Sequence, residues 1–240
     1  MHSGTKGDLR HVYWLGGTSG AGKSTIARRI ASDHDMTLYS TDATIRDHAG
    51  RSSPRECPRI AAFLRMSMDE RWVDRTPEEM YDTFPWFHGE GFRFILDDLL
   101  ALPRDRRVLV EGFRLLPRLV KPFLVSTHQA LWLISTPEFR VKAFTARGTL
   151  WQIPNKTTRP DKALANHLAR EKTFAEHLTR EAEAEGVSTI VVDGSRSEDE
   201  MVADVWSHFV GNVTKNLIHE QPNGSSTIDP FDESEAGGAV

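Results

Sequence analysis

The chain has 240 residues, a formal net charge of −4, 39% hydrophobic and 27% charged residues, the makeup of one globular domain with inserted segments or a tail. From Gly211 onward Lys215 stands against Glu220, Asp229, Asp232, Glu233 and Glu235, so the body is formally neutral, which argues against the broad basic face of a nucleic-acid binder. The lone cysteine, Cys57, rules out an internal disulfide and suits a reducing cytoplasm; Met1–Arg10 has no apolar signal core, and no apolar run nears the ~18–20 residues of a membrane span.

The first element is an apolar run, Val12–Leu15, which reads as a buried strand. It leads into Gly17, Thr18, Ser19, Gly20, Ala21, Gly22, Lys23 and Ser24, followed by Thr25, and this stretch matches the phosphate-binding loop pattern G-x-x-x-x-G-K-[ST]. Ile26, Ala27, Ile30 and Ala31 continue at helical spacing. Glycines let successive backbone N–H groups turn toward phosphate oxygens, and the helix start adds its positive end to the same anion. Lys23 is expected to reach the β- and γ-phosphates of ATP, and the Ser24 hydroxyl to ligate Mg²⁺.

A second strand, Thr37–Tyr39, ends in Ser40-Thr41-Asp42. Ligands of parallel α/β sheets lie at the carboxyl ends of the strands, so Asp42 faces the phosphate loop, where a carboxylate can orient or deprotonate an acceptor hydroxyl. Its alternative role is the N-cap of a helix starting Ala43-Thr44-Ile45. Arg46, one turn on, is a candidate for an anionic substrate group. Residues 43–106 hold too much sequence for one crossover. They read as a cap of several helices with an aromatic cluster, one of them starting at Thr76-Pro77-Glu78-Glu79. The cluster serves either as a substrate pocket or as the cap's own core.

The third strand, Val108–Val110, ends in Glu111-Gly112: an acid suited to holding Mg²⁺ through water or taking a substrate hydroxyl, and a glycine that permits close approach. Arg114 follows as a further substrate candidate. The fourth strand is Leu131–Ile134. Pro137 opens a helix toward Gly148, a polar loop spans 148–160, and a long helix runs over Asp161–Glu185 to Gly186. The fifth strand is Thr189–Val192, and Ser197 caps a last helix reaching about Val213. Residues 215–240 carry few large apolar side chains and read as a disordered acidic tail. The alternation of buried strands with helices predicts an α/β fold, a parallel sheet covered on both faces in a three-layer α/β/α stack.

Gly17–Ser24, Asp42 and Glu111-Gly112 at strand ends, and the arginine-bearing region after the fourth strand together resemble the nucleoside-monophosphate-kinase-like group of P-loop kinases. That group includes shikimate, gluconate and adenylate kinases and phosphotransferases of the chloramphenicol type. The resemblance covers about residues 12–210 and implies a sheet order of 2-3-1-4-5, an acceptor-binding cap (43–106) and a mobile lid (148–160). It further implies that lid arginines meet the transferring phosphates, with Arg147 and Arg159 flanking that loop here and Arg170 a weaker third. The loop after the fifth strand, Asp193-Gly194-Ser195-Arg196, then approaches the base, which makes Gly194 a nucleotide-site residue. ATP and Mg²⁺ are the implied cofactors, and a small-molecule hydroxyl or phosphate the acceptor.

The rivals leave different marks. A GTP switch needs an N-K-x-D-like reader after the fourth strand, where this chain has Ile134-Ser135-Thr136-Pro137. An ATP-binding module or NTPase without an acceptor has no use for Asp42 beside the γ-phosphate, and the neutral body weighs against a polynucleotide 5′-hydroxyl kinase.

Overall fold

The computed structural model describes residues 6–211, so the segment read as an acidic tail lies outside the described residues. Five parallel strands, β1 (Val12–Gly17), β2 (Thr37–Ser40), β3 (Val108–Glu111), β4 (Ala130–Ser135) and β5 (Ser188–Val192), form one sheet in the order β2-β3-β1-β4-β5. Around it lie α1 (Lys23–Asp33), the cap helices α2 (Ile45–Arg51), α3 (Pro58–Arg65), α4 (Met68–Trp72), α5 (Pro77–Thr83) and α6 (Phe92–Ala101), then α7 (Pro117–Val120), α8 (Pro137–Ala146), α9 (Pro160–Glu185) and α10 (Glu198–Val210).

The two-residue period of the strands divides the interior into two cores. Val12 and Trp14 of β1, Val108 and Val110 of β3, and Ala130, Trp132 and Ile134 of β4 pack with the cap and with Phe174, Leu178 and Ala182 of α9. Leu15, Leu109, Leu131 and Leu133 face the other way, onto Ile26 and Ile30 of α1 and Val205 and Phe209 of α10. Burial of such side chains contributes about 1.5–3 kcal/mol each, which is why the central strands read so plainly as apolar runs. The edge strands depart from the expectation of full burial: Leu38 of β2 and Val191 of β5 are exposed, because each outer strand is covered on one side alone.

β1 runs two residues past its apolar stretch. Gly16 and Gly17 stay in register with Trp132 and Leu133. Gly17 has φ 129°, and a Cβ there would run into the Leu133 carbonyl, so glycine alone continues the ladder into the loop. The cap is helical as its length requires. Thr76 and Glu79 close a capping box at α5, as do Ser67 and Glu70 at α4 and Ser197 and Glu200 at α10. The long helix ends at Gly186 with φ 63°.

Candidate phosphate-transfer site

The loop after β1 is held in shape by the end of β4. Thr18 N–H donates to the Leu133 carbonyl at 2.9 Å, and Thr18 Oγ1 accepts from Ser135 N–H at 2.8 Å. Ser135 Oγ also donates to the Ser19 carbonyl at 3.1 Å. Arg140 of α8, almost fully buried, donates to Ser135 Oγ at 3.2 Å and to its carbonyl at 3.1 Å. The sequence pattern does not mark Ser135 or Arg140, because their role is to brace the loop from behind.

α1 opens differently from its neighbours. Gly22 precedes it in the left-handed region, no side chain caps it, and no acid lies in its first turn. Its first amides are therefore free of the side-chain oxygens that close α4, α5 and α10, and its dipole faces an anion site. Lys23 is buried, and its ammonium donates to the Thr18 carbonyl at 2.7 Å. Burial pushes its pKa down; Asp42, Glu111 and Glu171 pull it back up, and Arg147 adds to the depression. Those four charges therefore all act on the phosphate loop.

Glu111 ends β3 buried, with its carboxylate accepting from Ser24 Oγ at 3.1 Å and from Ser40 Oγ at 2.6 Å. Ser24 itself is exposed. A hydroxyl and a carboxylate side by side at the loop's mouth are the hard oxygen donors that suit Mg²⁺, which takes few protein ligands and keeps several waters. The donor set thus fits the ion that the loop pattern implies.

Asp42 follows β2 in a turn. α2 starts at Ile45 after Thr44 and has no side-chain cap bond, so the N-cap alternative for Asp42 does not hold. Gly112, with φ 143°, allows the β3 end to approach this turn: a Cβ on Gly112 would collide with Thr41 Oγ1 and lie 3.1 Å from Asp42 Oδ1. The Asp42 side chain reaches solvent at the mouth of a cleft, yet burial of its surroundings raises its pKa, with Lys23 opposing and Glu111 reinforcing.

Arg114 takes another place than a substrate contact. It is buried and donates to the Thr41 carbonyl at 3.0 Å, to His48 Nδ1 at 2.9 Å and to the Gly91 carbonyl at 3.4 Å. Because His48 Nδ1 accepts from Arg114, His48 Nε2 carries the proton and donates to Asp98 at 2.7 Å. Asp98 also accepts from Tyr39 at 2.7 Å and Arg51 at 2.8 Å. This network ties the Asp42 turn to the cap. Arg46 is exposed and has neither hydrogen bond nor ion pair among the described residues.

The segment 148–160 is laid against the cap. Thr158 donates to Asp69 through N–H at 2.8 Å and Oγ1 at 2.6 Å, and Pro154 is buried in a short 3₁₀ turn, Pro154–Lys156. Arg159 turns to Asp74 of the cap, 3.5 Å away and exposed, whereas Arg147 acts on Lys23. The two flanking arginines are thus not equivalent. Gly194 sits in the turn after β5, against the Phe139 ring, while Asp193 closes the turn by accepting from Ser195 N–H at 2.9 Å.

Beside the phosphate loop opens a cavity of about 480 Å³ that includes Ser19 and Asp42 in its wall. Aromatic rings from the cap (Phe63, Trp72, Phe84, Trp86), from the turn after β3 (Phe113) and from α8 (Phe144) line it. Ile45 and Phe87 of the cap, Thr149, Gln152 and Ile153 of the 148–160 segment, and His167, Arg170 and Glu171 of α9 complete it. Of these, Arg170 is the third arginine the resemblance pointed to, here in the cavity wall, while His167 and Glu171 escaped the reading of the sequence. A signal for His167 exists: Ala163, His167, Arg170, Phe174, Leu178 and Ala182 follow helical spacing, so a histidine and an arginine stand in an apolar stripe.

A parallel sheet in this order, with a phosphate loop between its first strand and helix, defines a P-loop nucleotide-binding module of kinase-like build. Residues 12–133 match the family model described as an AAA domain, just over half of the chain, and the chain belongs to that family. No curated protein matches it. An uncharacterized protein from Eubacterium ventriosum ATCC 27560 aligns with 13% identity and a TM-score of 0.45 over 84% of this chain and 98% of its own. A gluconokinase from Sinorhizobium meliloti 1021 aligns with 16% identity and a TM-score of 0.46 over 89% and 98%. No helix among the described residues is long and apolar enough to cross a membrane.

Proposed function

We propose that this protein is an ATP-dependent phosphotransferase that moves the γ-phosphate of ATP to a hydroxyl of a small molecule. The observation that carries this reading is Asp42, a carboxylate that lines both the mouth of the phosphate loop and an open cleft of acceptor size. A module that only binds or hydrolyses nucleotide has no need of that cavity.

Residues 17–25 cradle the phosphates, and Lys23 neutralises the β- and γ-phosphates. Ser24 and Glu111 hold Mg²⁺, which when bound offsets the charge of the phosphates. Asp42 orients the acceptor hydroxyl and takes its proton. The acceptor oxygen bonds to the γ-phosphorus, the bond from that phosphorus to the β–γ bridging oxygen breaks, and ADP leaves with that oxygen. Arg147 faces the charge that develops on the transferring group, as a cis arginine finger. The elements around the cavity keep water from competing with the acceptor. A cytoplasmic location fits a chain whose one cysteine is a buried free thiol.

The deciding experiment is ATP consumption over a panel of acceptors, read by product mass, with Lys23→Ala as control. Lys23→Ala is expected to abolish acceptor-dependent turnover while keeping the wild-type fold by circular dichroism. A Lys23→Ala protein with full turnover would falsify the assignment.

A further inference from the structure

The cavity beside Asp42 is built for a different kind of molecule from a polyol or a phosphorylated sugar. Its wall is a rigid set of interlocked rings. Phe63 meets Phe84 edge-on at 5.3 Å and Trp86 at 5.6 Å, and Phe84 meets Trp86 at 5.0 Å. Phe87, also in the wall, stacks on Phe174 at 3.8 Å with the planes 3° apart. Rings so locked give a preformed slot, which lowers the ordering cost of binding a flat molecule.

The wall also offers no free cation, and its one unpaired charge is the Asp42 carboxylate. Arg170 is buried over the rings of Trp72 at 4.6 Å, Phe84 at 4.2 Å and Phe87 at 5.1 Å, and it is neutralised by Glu171, which accepts from it at 2.6 Å. His167, between Trp72 and Phe144, is kept neutral: burial foremost, then Arg170, lowers its pKa to about 4. A carboxylate or phosphate on the acceptor would leave water without meeting a free cation there, which costs several kcal/mol. A polyol fares little better, because each hydroxyl taken from water needs a partner and most of the wall is ring face. Ser19, Asp42, Thr149 and Gln152 supply polar atoms toward the phosphate loop and the 148–160 segment, and a second polar group of side chains stands opposite. Trp86 Nε1, Arg170 Nε and Glu171 Oε2 are buried without a hydrogen-bond partner, and all three belong to residues of this wall. Leaving such atoms unpaired carries a desolvation penalty, which a fold without use for them would not keep on a single wall.

We propose that the acceptor is an uncharged alcohol borne on a flat aromatic body, its hydroxyl presented to Asp42, its ring seated against the aromatic wall that includes Phe113, and a further polar group, where it has one, directed to the Trp86–Arg170–Glu171 side. This rests on the phosphotransferase reading above. The transfer converts R–OH and ATP to the phosphate monoester R–O–PO₃²⁻ and ADP, with the hydroxyl proton passing to Asp42 and then to solvent.

The test uses the full chain with Mg²⁺ and compares 2-phenylethanol and 3-phenylpropane-1,2-diol with glycerol, glucose, gluconate and AMP. Ligand-observed NMR in the presence of a non-hydrolysable ATP analogue reads binding, and product mass with ATP reads transfer. The expected result is binding and phosphorylation of the phenyl alcohols, with kcat/KM at least a hundredfold above glycerol and gluconate. Phe113→Leu, at a half-buried position, is expected to raise KM for the phenyl alcohols about tenfold while KM for ATP stays put. Trp86→Phe, which keeps a ring and removes the unpaired N–H, is expected to raise KM for acceptors with a second polar group and not for 2-phenylethanol. Nucleotide binding with transfer confined to sugars, gluconate or AMP would overturn the aromatic acceptor and leave the phosphotransferase reading standing. Absence of Lys23-dependent nucleotide binding would overturn both.

Discussion

The phosphate loop and the aromatic cavity adjoin at Asp42, and they are made by opposite means. The loop presents backbone amides, one buried lysine and an uncapped helix start, and it leaves its charge open toward an anion. The cavity presents side chains from the cap, from α8 and from α9, and it pairs its one arginine with a glutamate. A backbone site needs glycines at fixed places, so it looks alike whatever the acceptor. A side-chain site is free to change with its ligand. The division teaches where specificity can reside: the nucleotide end is set by local geometry, the acceptor end by which elements the fold brings together.

Asp42 belongs to both ends, and its removal should have the largest effect on that division. Asp42→Asn keeps the size of the side chain and removes the base. Its expected cost is roughly 10²–10⁴-fold in kcat, with KM for ATP nearly unchanged. Because burial raises the Asp42 pKa, the wild-type rate should climb as pH rises through that raised value, and the variant should lose this limb. Retention of the wild-type rate with only a lower melting temperature would reduce Asp42 to a part of the turn.

The same division explains what the sequence discloses. Gly17, Gly22, Lys23 and Ser24 lie within one octapeptide, and the physics that joins them is local, so the pattern is readable without the fold. Glu111 is readable at one remove, since an acid at the end of an apolar strand has to be buried for a reason. The sheet follows from the same runs, apart from the half-covered edges at Leu38 and Val191. The cavity is another matter. Trp72, Phe113 and Phe144 come from three separate elements, and nothing local distinguishes them from core residues; Arg170 stands out as an arginine in an apolar stripe, but nothing local places it in the cavity wall. Arg114 shows the converse: from its place after Glu111 it reads as a substrate contact, while the fold turns its donors onto the Thr41 and Gly91 carbonyls and His48. Arg159 misleads in the same way, since its partner Asp74 is remote in sequence.

The neutrality of His167 in the cavity wall is testable through acid stability. His167 is uncharged in the fold, with its pKa lowered from 6.5 to about 4. In the unfolded chain it binds a proton below about pH 6.5, so this group's contribution is complete above that pH and is lost as pH falls toward 4. At 1.36 kcal/mol per unit the loss reaches ~3 kcal/mol near pH 4. Denaturant unfolding of the wild type and His167→Phe at pH 7 and pH 4 measures it. The variant should lose less stability between the two pH values by about that amount. Equal losses would mean that His167 is free to charge, and the wall with it.

A smaller effect separates the two arginines that flank the 148–160 segment. The side chain of Arg147 is exposed, forms no hydrogen bond or ion pair among the described residues, and acts on the pKa of Lys23. A guanidinium so placed is available to the γ-phosphate as charge develops there. Arg159 is held by Asp74 at 3.5 Å, an exposed pair of the sort that contributes ~0–1 kcal/mol. Arg147→Ala should lower kcat about tenfold, ~1.4 kcal/mol in the barrier, with a lesser change in nucleotide affinity. Arg159→Ala should leave kcat within twofold and shift only stability, slightly. Amide exchange supplies the structural side of the same test. Thr158 N–H is bonded to Asp69 and should be protected before any nucleotide is added, while amides near Gly148, next to Arg147, should slow when a non-hydrolysable ATP analogue and Mg²⁺ are supplied. A tenfold loss in Arg159→Ala with none in Arg147→Ala would reverse the assignment. It would also require the Arg159–Asp74 pair to open during turnover, making the cap contact a latch on the phosphate end.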